Sequence, residues 1–335
     1  MWKIREPLWD TGMERSGSDF SANAAPGYLG LHESGLLAER ARALEEHLSS
    51  CALCPHECRV DRKAGHRGAC GVDGRVRVAA INLHFHEEPP LSGARGSGTV
   101  FFSGCTLKCV FCQNYPISQL GVGRTLSIDE LALGMVKLQK RGAHNINLVT
   151  PTHQSAVFVQ ALLKAVPMGL RLPIVYNTSG YEKVEILRLL DGIVDIYLPD
   201  IKYADGGSAR FCSRCGDYVE RNRAALLEMW RQVGPLQMNR EGIARRGMLV
   251  RHMVLPGGLS GSGSCFDFLA SNLGPEAWIS LMNQYFPAYK ALQMPPLSRK
   301  VFEEEYEEAF RLLTSLGFHN GFVQDGSDED CRFPL

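Results

Sequence analysis

The sequence lacks an excess of charge of either sign. Its 36 lysine and arginine residues balance 36 aspartate and glutamate residues, so the formal net charge at pH 7 is zero. Proteins that bind nucleic acid regardless of its sequence depend on a basic excess that neutralises phosphate groups. We therefore expect no nucleic-acid partner.

Long hydrophobic runs are also missing. No stretch of the chain approaches the ~18 consecutive apolar residues that a membrane-spanning helix requires. The first residues, Met1 to Glu6, lack the apolar segment of a secretory signal peptide. The sequence therefore predicts a cytoplasmic protein with no membrane association.

Cysteine, by contrast, is abundant. Of the 11 cysteines, seven fall into two groups, with four between positions 51 and 70 and three between positions 105 and 112. In a reducing compartment, grouped thiols indicate metal binding before disulfides. Cys212 and Cys215 form a further C-x2-C pair, either a redox pair or an incidental one, and Cys265 and Cys331 stand alone.

The chain divides into three predicted parts. These are an N-terminal arm with a cysteine-rich segment over residues 1–97, a larger domain over residues 98–325, and a C-terminal tail over residues 326–335. Residues 1 to about 30 are rich in glycine, serine, asparagine and proline and lack sustained periodicity. We expect them to form an extended arm over the surface.

The larger domain alternates short apolar runs with helical patterns, which is typical of β-α units and a parallel sheet. The predicted strands are residues 99–102, 145–150, 173–177, 194–198, 248–255 and 278–282. A helix between the first two begins with a capping box of Ser127 and Glu130 and ends at Gly142. Because six units fall short of an eight-stranded barrel, we predict an α/β fold, a partial (β/α)6 TIM-like barrel with its active site at the carboxyl ends of the strands.

A loop with three cysteines directly follows the first predicted strand. Cys105, Cys109 and Cys112 have the spacing C-x3-C-x2-C, and Phe111 stands just before the third cysteine. Three cysteines can hold a [4Fe-4S] cluster in which one iron stays open to a chelating ligand. Catalytic zinc also keeps one open position, but its ligand sets usually include histidine. The loop therefore favours an iron-sulfur cluster over zinc or a structural thiol group.

This loop resembles the C-x3-C-x-aromatic-C signature of the radical S-adenosylmethionine (SAM) superfamily. The resemblance covers roughly residues 50–320 and is strongest to relatives of pyruvate formate-lyase activating enzyme that carry an N-terminal cysteine segment. Residues 98–104, 112–115 and 251–257 are also similar to that branch.

The resemblance implies a [4Fe-4S] cluster and SAM as cofactors. The amino and carboxylate groups of SAM would chelate the open iron. An electron from the reduced cluster would then cleave SAM to methionine and a 5′-deoxyadenosyl radical that abstracts hydrogen. The resemblance further implies an electron donor such as flavodoxin or ferredoxin, and a protein or peptide substrate.

The resemblance also implies contacts with SAM near the cysteine loop and at two strand ends. Phe111 would lie near the adenine. Activating enzymes usually have Gly-Gly-Glu at the end of the second strand, where this chain has Thr150-Pro151-Thr152-His153, so the side chains of Thr150 and Thr152 would meet the methionyl ammonium. At the end of the third strand, Asn177 and Ser179 would bind the ribose hydroxyls or the methionyl carboxylate, unless this segment is only a polar turn.

Three charged residues follow in the same series. Asp200 and Lys202 match the family's Asp-x-Lys at the end of the fourth strand, and strand alternation places both on one face. Arg251, on the fifth strand, falls at a family position for a guanidinium near SAM. The alternatives are an exposed ion pair for Asp200 and Lys202 and an ordinary surface arginine for Arg251.

The N-terminal cysteine group has the spacing C-x2-C-x3-C-x11-C. Cys51, Cys54, Cys58 and Cys70 could close a zinc site or hold an auxiliary iron-sulfur cluster. The alternative is that the four thiols merely pack or serve another role. Spacing alone does not decide among these.

The function predicted from the sequence is that of a radical SAM enzyme similar to glycyl-radical activases, which makes a radical on a protein or peptide. One alternative is a radical SAM enzyme for a small molecule or a modified peptide, which would need its own polar substrate pocket. Another is a non-catalytic iron-sulfur regulator, whose cluster would be closed by a fourth ligand. The sequence assigns no catalytic side chain.

Overall fold

The computed structural model describes residues 25–324. Within this range the chain forms a mostly parallel sheet of ten strands. The strands are β1 (Val76–His84), β2 (Ser97–Phe102), β3 (Arg124–Leu126), β4 (Ile146–Val149), β5 (Ile174–Thr178), β6 (Ile196–Pro199), β7 (Gln237–Met238), β8 (Ala244–Met253), β9 (Trp278–Met282) and β10 (Asn320–Val323).

Helices connect these strands. They are α1 (Gly27–Glu33), α2 (Leu36–Glu46), α3 (Pro89–Ser92), α4 (Tyr115–Ser118), α5 (Ile128–Lys140), α6 (Ser155–Ala165), α7 (Val184–Leu189), α8 (Gly206–Ser213), α9 (Tyr218–Val233), α10 (Ser262–Leu273) and α11 (Glu303–Ser315), with short 3-10 turns at Thr152–Gln154, Pro256–Gly258 and Tyr289–Gln293. Among residues 25–324, no helix is long and apolar enough to cross a membrane.

The sheet is open, with the strand order β10-β9-β8-β6-β5-β4-β2-β1-β3 and β7 paired to β8. All six predicted strands are present, as β2, β4, β5, β6, β8 and β9, and neighbours among them pair in parallel. The prediction of an α/β partial barrel is therefore confirmed. β10 adds a seventh parallel strand beside β9, which the sequence analysis missed.

Alternation along the strands separates two apolar cores. Leu148, Tyr176 and Val250 belong to the main core with the surrounding helices, whereas Val175 and Leu249 belong to a smaller core on the other face of the sheet. Successive strand residues point to opposite faces, so the second set faces the inside of the partial barrel. This smaller core therefore lines part of the inside of the barrel.

The predicted capping box of α5 is confirmed. The hydroxyl of Ser127 accepts a hydrogen bond from the Glu130 N–H at 3.1 Å, and the Glu130 carboxylate accepts one from the Ser127 N–H at 2.7 Å. These bonds satisfy amide groups that a helix start otherwise leaves unpaired. The predicted helix end at Gly142 lies two residues beyond the last residue of α5.

The N-terminal part differs from the prediction. Residues 27–33 form α1 instead of an extended arm, because Tyr28 is fully buried and its hydroxyl donates to the Leu172 carbonyl at 2.9 Å. The predicted arm over residues 1–24 and the tail over residues 326–335 lie outside the described residues. β1 pairs antiparallel with β2 and β3, so the cysteine-rich segment and the barrel share one sheet.

Candidate active site

The loop with three cysteines leaves the carboxyl end of β2. Gly104 and Lys108 have positive φ angles of 83° and 50°, which turn the chain back over the strand end. Hydroxyl groups donate to two of the sulfurs: Ser213 to Cys109 and Ser118 to Cys112, each at 3.1 Å. Hydrogen bonds to sulfur are one means by which proteins tune iron-sulfur clusters.

Burial strongly affects these thiols. It raises the pKa of Cys105 to about 12, with a further contribution from the neighbouring Cys109. It also raises the pKa of Cys112. Metal binding requires thiolates, so a bound cation would compensate for this cost of burial.

The donor set fits a [4Fe-4S] cluster. Within residues 25–324, no three His, Cys, Asp or Glu side chains are gathered as ligands of a single metal ion. A cube does not need that arrangement, because each cysteine binds a different iron. Cys105, Cys109 and Cys112 would therefore supply three of the four ligands of such a cube and leave one iron open.

Polar residues from the ends of β5, β6 and β8 meet in one network. Asp200 accepts hydrogen bonds from Lys202 at 2.6 Å and from the Arg251 Nε at 3.1 Å. The Arg251 guanidinium also donates to the Asn177 side-chain oxygen. The side chains of Asp200, Lys202 and Arg251 are only 12%, 13% and 16% exposed, so neither an exposed ion pair nor a surface arginine describes them.

The opposite charges in this network stabilise the ionised forms of Asp200 and Lys202. Burial alone would raise the pKa of Asp200, but Lys202 and Arg251 hold it below its usual value. Burial would likewise lower the pKa of Lys202, and Asp200 raises it. Asp200 is therefore an ionised carboxylate with two cationic partners. A contact of this network with SAM remains a prediction.

The residues after β4 form a separate polar group. The hydroxyls of Thr152 and Thr178 both donate to the buried carboxyl of Glu182, which also accepts a bond from Tyr176 at 3.3 Å. The Thr150 N–H donates to the Asn177 carbonyl at 2.8 Å. Thr150 therefore joins the strand-end network through its backbone, whereas the Thr152 side chain is held by Glu182. The sequence analysis missed Glu182, because this residue lies just before α7 and belongs to no recognisable motif.

The remaining predicted SAM contacts are Phe111 and Ser179, and each of them contacts a tyrosine. Phe111 is buried, with its ring edge-to-face with Tyr285 at 5.8 Å between centroids. The Ser179 carbonyl accepts a hydrogen bond from the Tyr218 hydroxyl at 2.8 Å. The same Tyr218 hydroxyl contacts the Asp200 carbonyl at 3.2 Å, so Ser179 is linked to the network through one tyrosine.

Two acidic residues inside the barrel were also missed. Glu87 and Glu88 lie between β1 and α3, and both are buried. The Glu87 carboxylate stands 3.6 Å from the Arg251 guanidinium, so it extends the network at the strand ends. The sequence shows only two adjacent acids before two prolines, because their barrel neighbours are remote along the chain.

The N-terminal cysteine group packs against the barrel. Burial raises the pKa of Cys54, and Cys70, Cys51 and Cys58 lie near enough to raise it further. Arg62 is almost completely buried beside them, with its guanidinium 3.9 Å from the Cys51 sulfur. The structure thus brings the four predicted cysteines together.

The C-x2-C pair also lies near the cysteine loop. Cys212 belongs to α8, and its carbonyl accepts a hydrogen bond from the Val110 N–H at 2.8 Å. Burial raises the pKa of Cys215 to about 11, and the neighbouring Cys109 contributes. Both cysteines are free thiols. The pair is therefore a neighbour of the site, which its sequence spacing did not indicate.

Known proteins share parts of this chain's sequence and fold. Residues 99–235 match the family model of the radical SAM superfamily. An uncharacterized protein of Methanocaldococcus jannaschii is 30% identical over 290 residues, which cover 83% of this chain and 78% of that protein. A radical SAM methyltransferase from Sphaerobacter thermophilus aligns by structure with 68% of this chain, which spans 65% of the methyltransferase, at 17% identity and a TM-score of 0.45.

Proposed function

We propose that this chain, which carries a radical SAM superfamily domain over residues 99–235, abstracts hydrogen from a substrate held inside the partial barrel. The observation that carries this proposal is the position of the cysteine loop. Its three buried or half-buried thiols follow β2, at the same edge of the sheet as the network of Asn177, Asp200 and Arg251. Ligands of open parallel sheets bind at this edge.

Cys105, Cys109 and Cys112 would hold a [4Fe-4S] cluster, which would supply the electron for reductive cleavage of SAM. The chain's own residues bind and orient. Arg251 has five N–H groups, of which the hydrogen bonds to Asp200 and Asn177 use two, and its Nη1 also lies 3.6 Å from the Glu87 carboxylate. The remaining N–H groups are suited to a carboxylate of SAM or substrate, and Asp200 keeps the guanidinium in place.

Two substrate classes follow from the sequence and the structure. The resemblance to pyruvate formate-lyase activating enzymes supports a protein or peptide substrate that receives a radical. The buried polar side chains of Glu87, Glu88, Asn147 and Ser280 support instead a small molecule or a single side chain that enters the barrel. We favour the second class, since a polar interior is the feature that distinguishes it.

We also propose that Cys51, Cys54, Cys58 and Cys70 hold an auxiliary iron-sulfur cluster. The four thiols lie close together, since Cys51, Cys58 and Cys70 each contribute to the raised pKa of Cys54, so one metal centre could bind all four. An external electron donor such as flavodoxin or ferredoxin completes the proposed system.

Anaerobic reconstitution tests the main proposal. With a strong reductant and SAM, the wild-type protein is expected to produce 5′-deoxyadenosine and methionine, and the variant Cys109→Ala is expected to produce neither. Cys215→Ala is the matched control, because Cys215 is a buried thiol near the same loop but outside the signature. Full SAM cleavage by Cys109→Ala would contradict the cluster assignment. Loss of iron in both variants would instead favour a cluster closed by a fourth cysteine.

A further inference from the structure

Two consecutive glutamates from the N-terminal segment lie inside the barrel, outside the superfamily match. Glu87 and Glu88 are 9% and 1% exposed. They precede α3, whose Leu91 packs with Val175 and Leu249 in the core of the barrel interior. The Asn145 side chain donates to the Leu91 carbonyl at 2.8 Å and fixes α3 at the amino end of β4. The helix closes that end, and the glutamates lie on the side of it that faces Arg251.

Several polar atoms around Glu88 have no hydrogen bond of regular geometry, although Ser280 lies close to Glu88 and Asn147 lies close to Glu87. These are both carboxyl oxygens of Glu88, both side-chain polar atoms of Asn147 and the Ser280 hydroxyl, although all three residues are fully buried. Ser280 pairs in register with Arg251 on the neighbouring strand. Buried polar groups in native proteins are almost always satisfied. A set of unsatisfied groups from β4, β9 and the segment before α3 therefore indicates a bound ligand.

The charges show what that ligand would be. The interior holds three carboxyl groups, on Glu87, Glu88 and Asp200, against two cations, on Lys202 and Arg251. Asp200 bonds to both cations, and Glu87 shares Arg251 at 3.6 Å. Arg251 also lies near enough to Glu88 to oppose the rise of its pKa, although neither carboxyl oxygen of Glu88 has a hydrogen bond of regular geometry. Burial raises the pKa of Glu87 and of Glu88, which favours their neutral forms. A ligand with one positive charge would favour an ionised carboxylate at Glu88 and would therefore bind beside it.

We propose that Glu88, Asn147 and Ser280 bind an alkylammonium group of the substrate. An ammonium carries three N–H donors, and these three side chains offer a carboxylate, an amide oxygen and a hydroxyl oxygen. The inference rests on the proposed function for the reaction, but it concerns binding alone. The amine belongs either to a small molecule or to a lysine side chain of a peptide.

Binding of simple probes tests the inference. We would titrate the reconstituted protein with n-butylammonium and with 1-butanol, its neutral analogue, by calorimetry without reductant or SAM. The wild-type protein is expected to bind the ammonium at least about tenfold more tightly than the alcohol, and Glu88→Gln is expected to lose that preference. Glu276→Gln, which changes an exposed acid before β9, is the matched control and is expected to keep it.

Two further measurements complete the test. Ser280→Ala keeps the charge of the site and removes one acceptor, so it should weaken ammonium binding several-fold even if Glu88→Gln does not fold. Tighter binding of N-acetyl-lysine amide than of n-butylammonium would identify a peptide as the source of the amine. Tighter binding of n-butylammonium would identify a small molecule as the source. No detectable ammonium binding, or equal affinity in wild type, Glu88→Gln and Ser280→Ala, overturns the inference. SAM cleavage is measured separately, so either proposal can fail without the other.

Discussion

The carbonyl oxygen of Cys70 lies against Gly104, so closely that a Cβ atom at position 104 would stand 2.6 Å from it. Gly104 directly precedes the first cysteine of the signature loop, and Cys70 is the last cysteine of the N-terminal group. The two cysteine groups therefore meet backbone to backbone. Any side chain at position 104 would separate them.

Gly104→Ala is expected to reduce the iron bound by both cysteine groups. The φ angle of +83° is unfavourable for alanine by about 1–2 kcal/mol, and the new methyl group would collide with the Cys70 carbonyl. Gly121→Ala is the control, because Gly121 has φ +68° but no atom within 4 Å of the position that a Cβ would take. Iron per chain after anaerobic reconstitution is the measurement. Equal iron contents in the two variants would contradict the proposal that both cysteine groups depend on the close approach of Cys70 to Gly104.

The auxiliary centre predicts that iron remains when the signature cysteines are removed. A variant with Cys105, Cys109 and Cys112 all changed to alanine keeps the four N-terminal cysteines, so it should still bind iron but no longer cleave SAM. Elemental analysis and the visible absorption spectrum check this. Zinc in place of iron would show that the four cysteines form a zinc site. A folded variant without either metal would show that the four thiols are structural.

Asp200→Ala is expected to preserve the iron-sulfur absorbance but weaken SAM binding or cleavage at least about tenfold. Removing one partner of a buried charged hydrogen bond typically costs ~1.5–3 kcal/mol. The change leaves Lys202 and Arg251 without their shared carboxylate. Asp129→Ala removes an exposed partner of Lys164 and should have no effect, since exposed ion pairs contribute under ~1 kcal/mol. Unchanged affinity and rate in Asp200→Ala would remove β6 from the active site.

Glu182 makes stability depend on pH. Burial raises its pKa to about 7, although bonds from Thr152, Thr178 and Tyr176 oppose the rise. Because the folded pKa lies above the ordinary value of 4.5, the stabilising effect is fully present below pH 4.5 and is lost as pH rises through 7. The loss amounts to about 3 kcal/mol, from ~1.36 kcal/mol per pKa unit.

Glu182→Gln should therefore flatten the fall in unfolding free energy between pH 5 and pH 8, as measured by urea denaturation. Asp195, whose pKa burial raises to about 6, should leave a smaller slope in the variant. Glu276→Gln, an exposed change, should retain the wild-type slope. An identical slope in Glu182→Gln and wild type would show that this carboxyl ionises freely in the folded protein.

The sequence predicted the six barrel strands because each is a short apolar run buried on both faces, and the sixth matches β9 at both ends. It did not reveal β1, whose residues Val76–His84 are mostly half-buried at the antiparallel side of the sheet. Burial on both faces leaves a clear apolar run, whereas partial burial does not. The four residues of β10 are half-buried or exposed and include Gly321, so they form no apolar run.

The same distinction applies to the site. The cysteine loop was predictable because its three ligands lie within eight consecutive residues. The strand-end residues were found through a resemblance, and the structure brings Asn177, Asp200, Lys202 and Arg251 together. Glu87 and Glu88 could not be predicted, because their neighbours on β8 and β9 are remote in sequence. Only folding makes them part of one site.

The pairing of β1 with β2 limits how this chain can be divided. β1 covers one hydrogen-bonding edge of β2, and Arg62 donates to the Asp73 and His153 carbonyls, at 2.7 Å and 2.8 Å, across the junction of segment and barrel. A shortened chain beginning at residue 98 would expose the bare edge of β2, a template for aggregation. We therefore expect the cysteine-rich segment and the barrel to fold and unfold as one cooperative unit rather than as exchangeable modules.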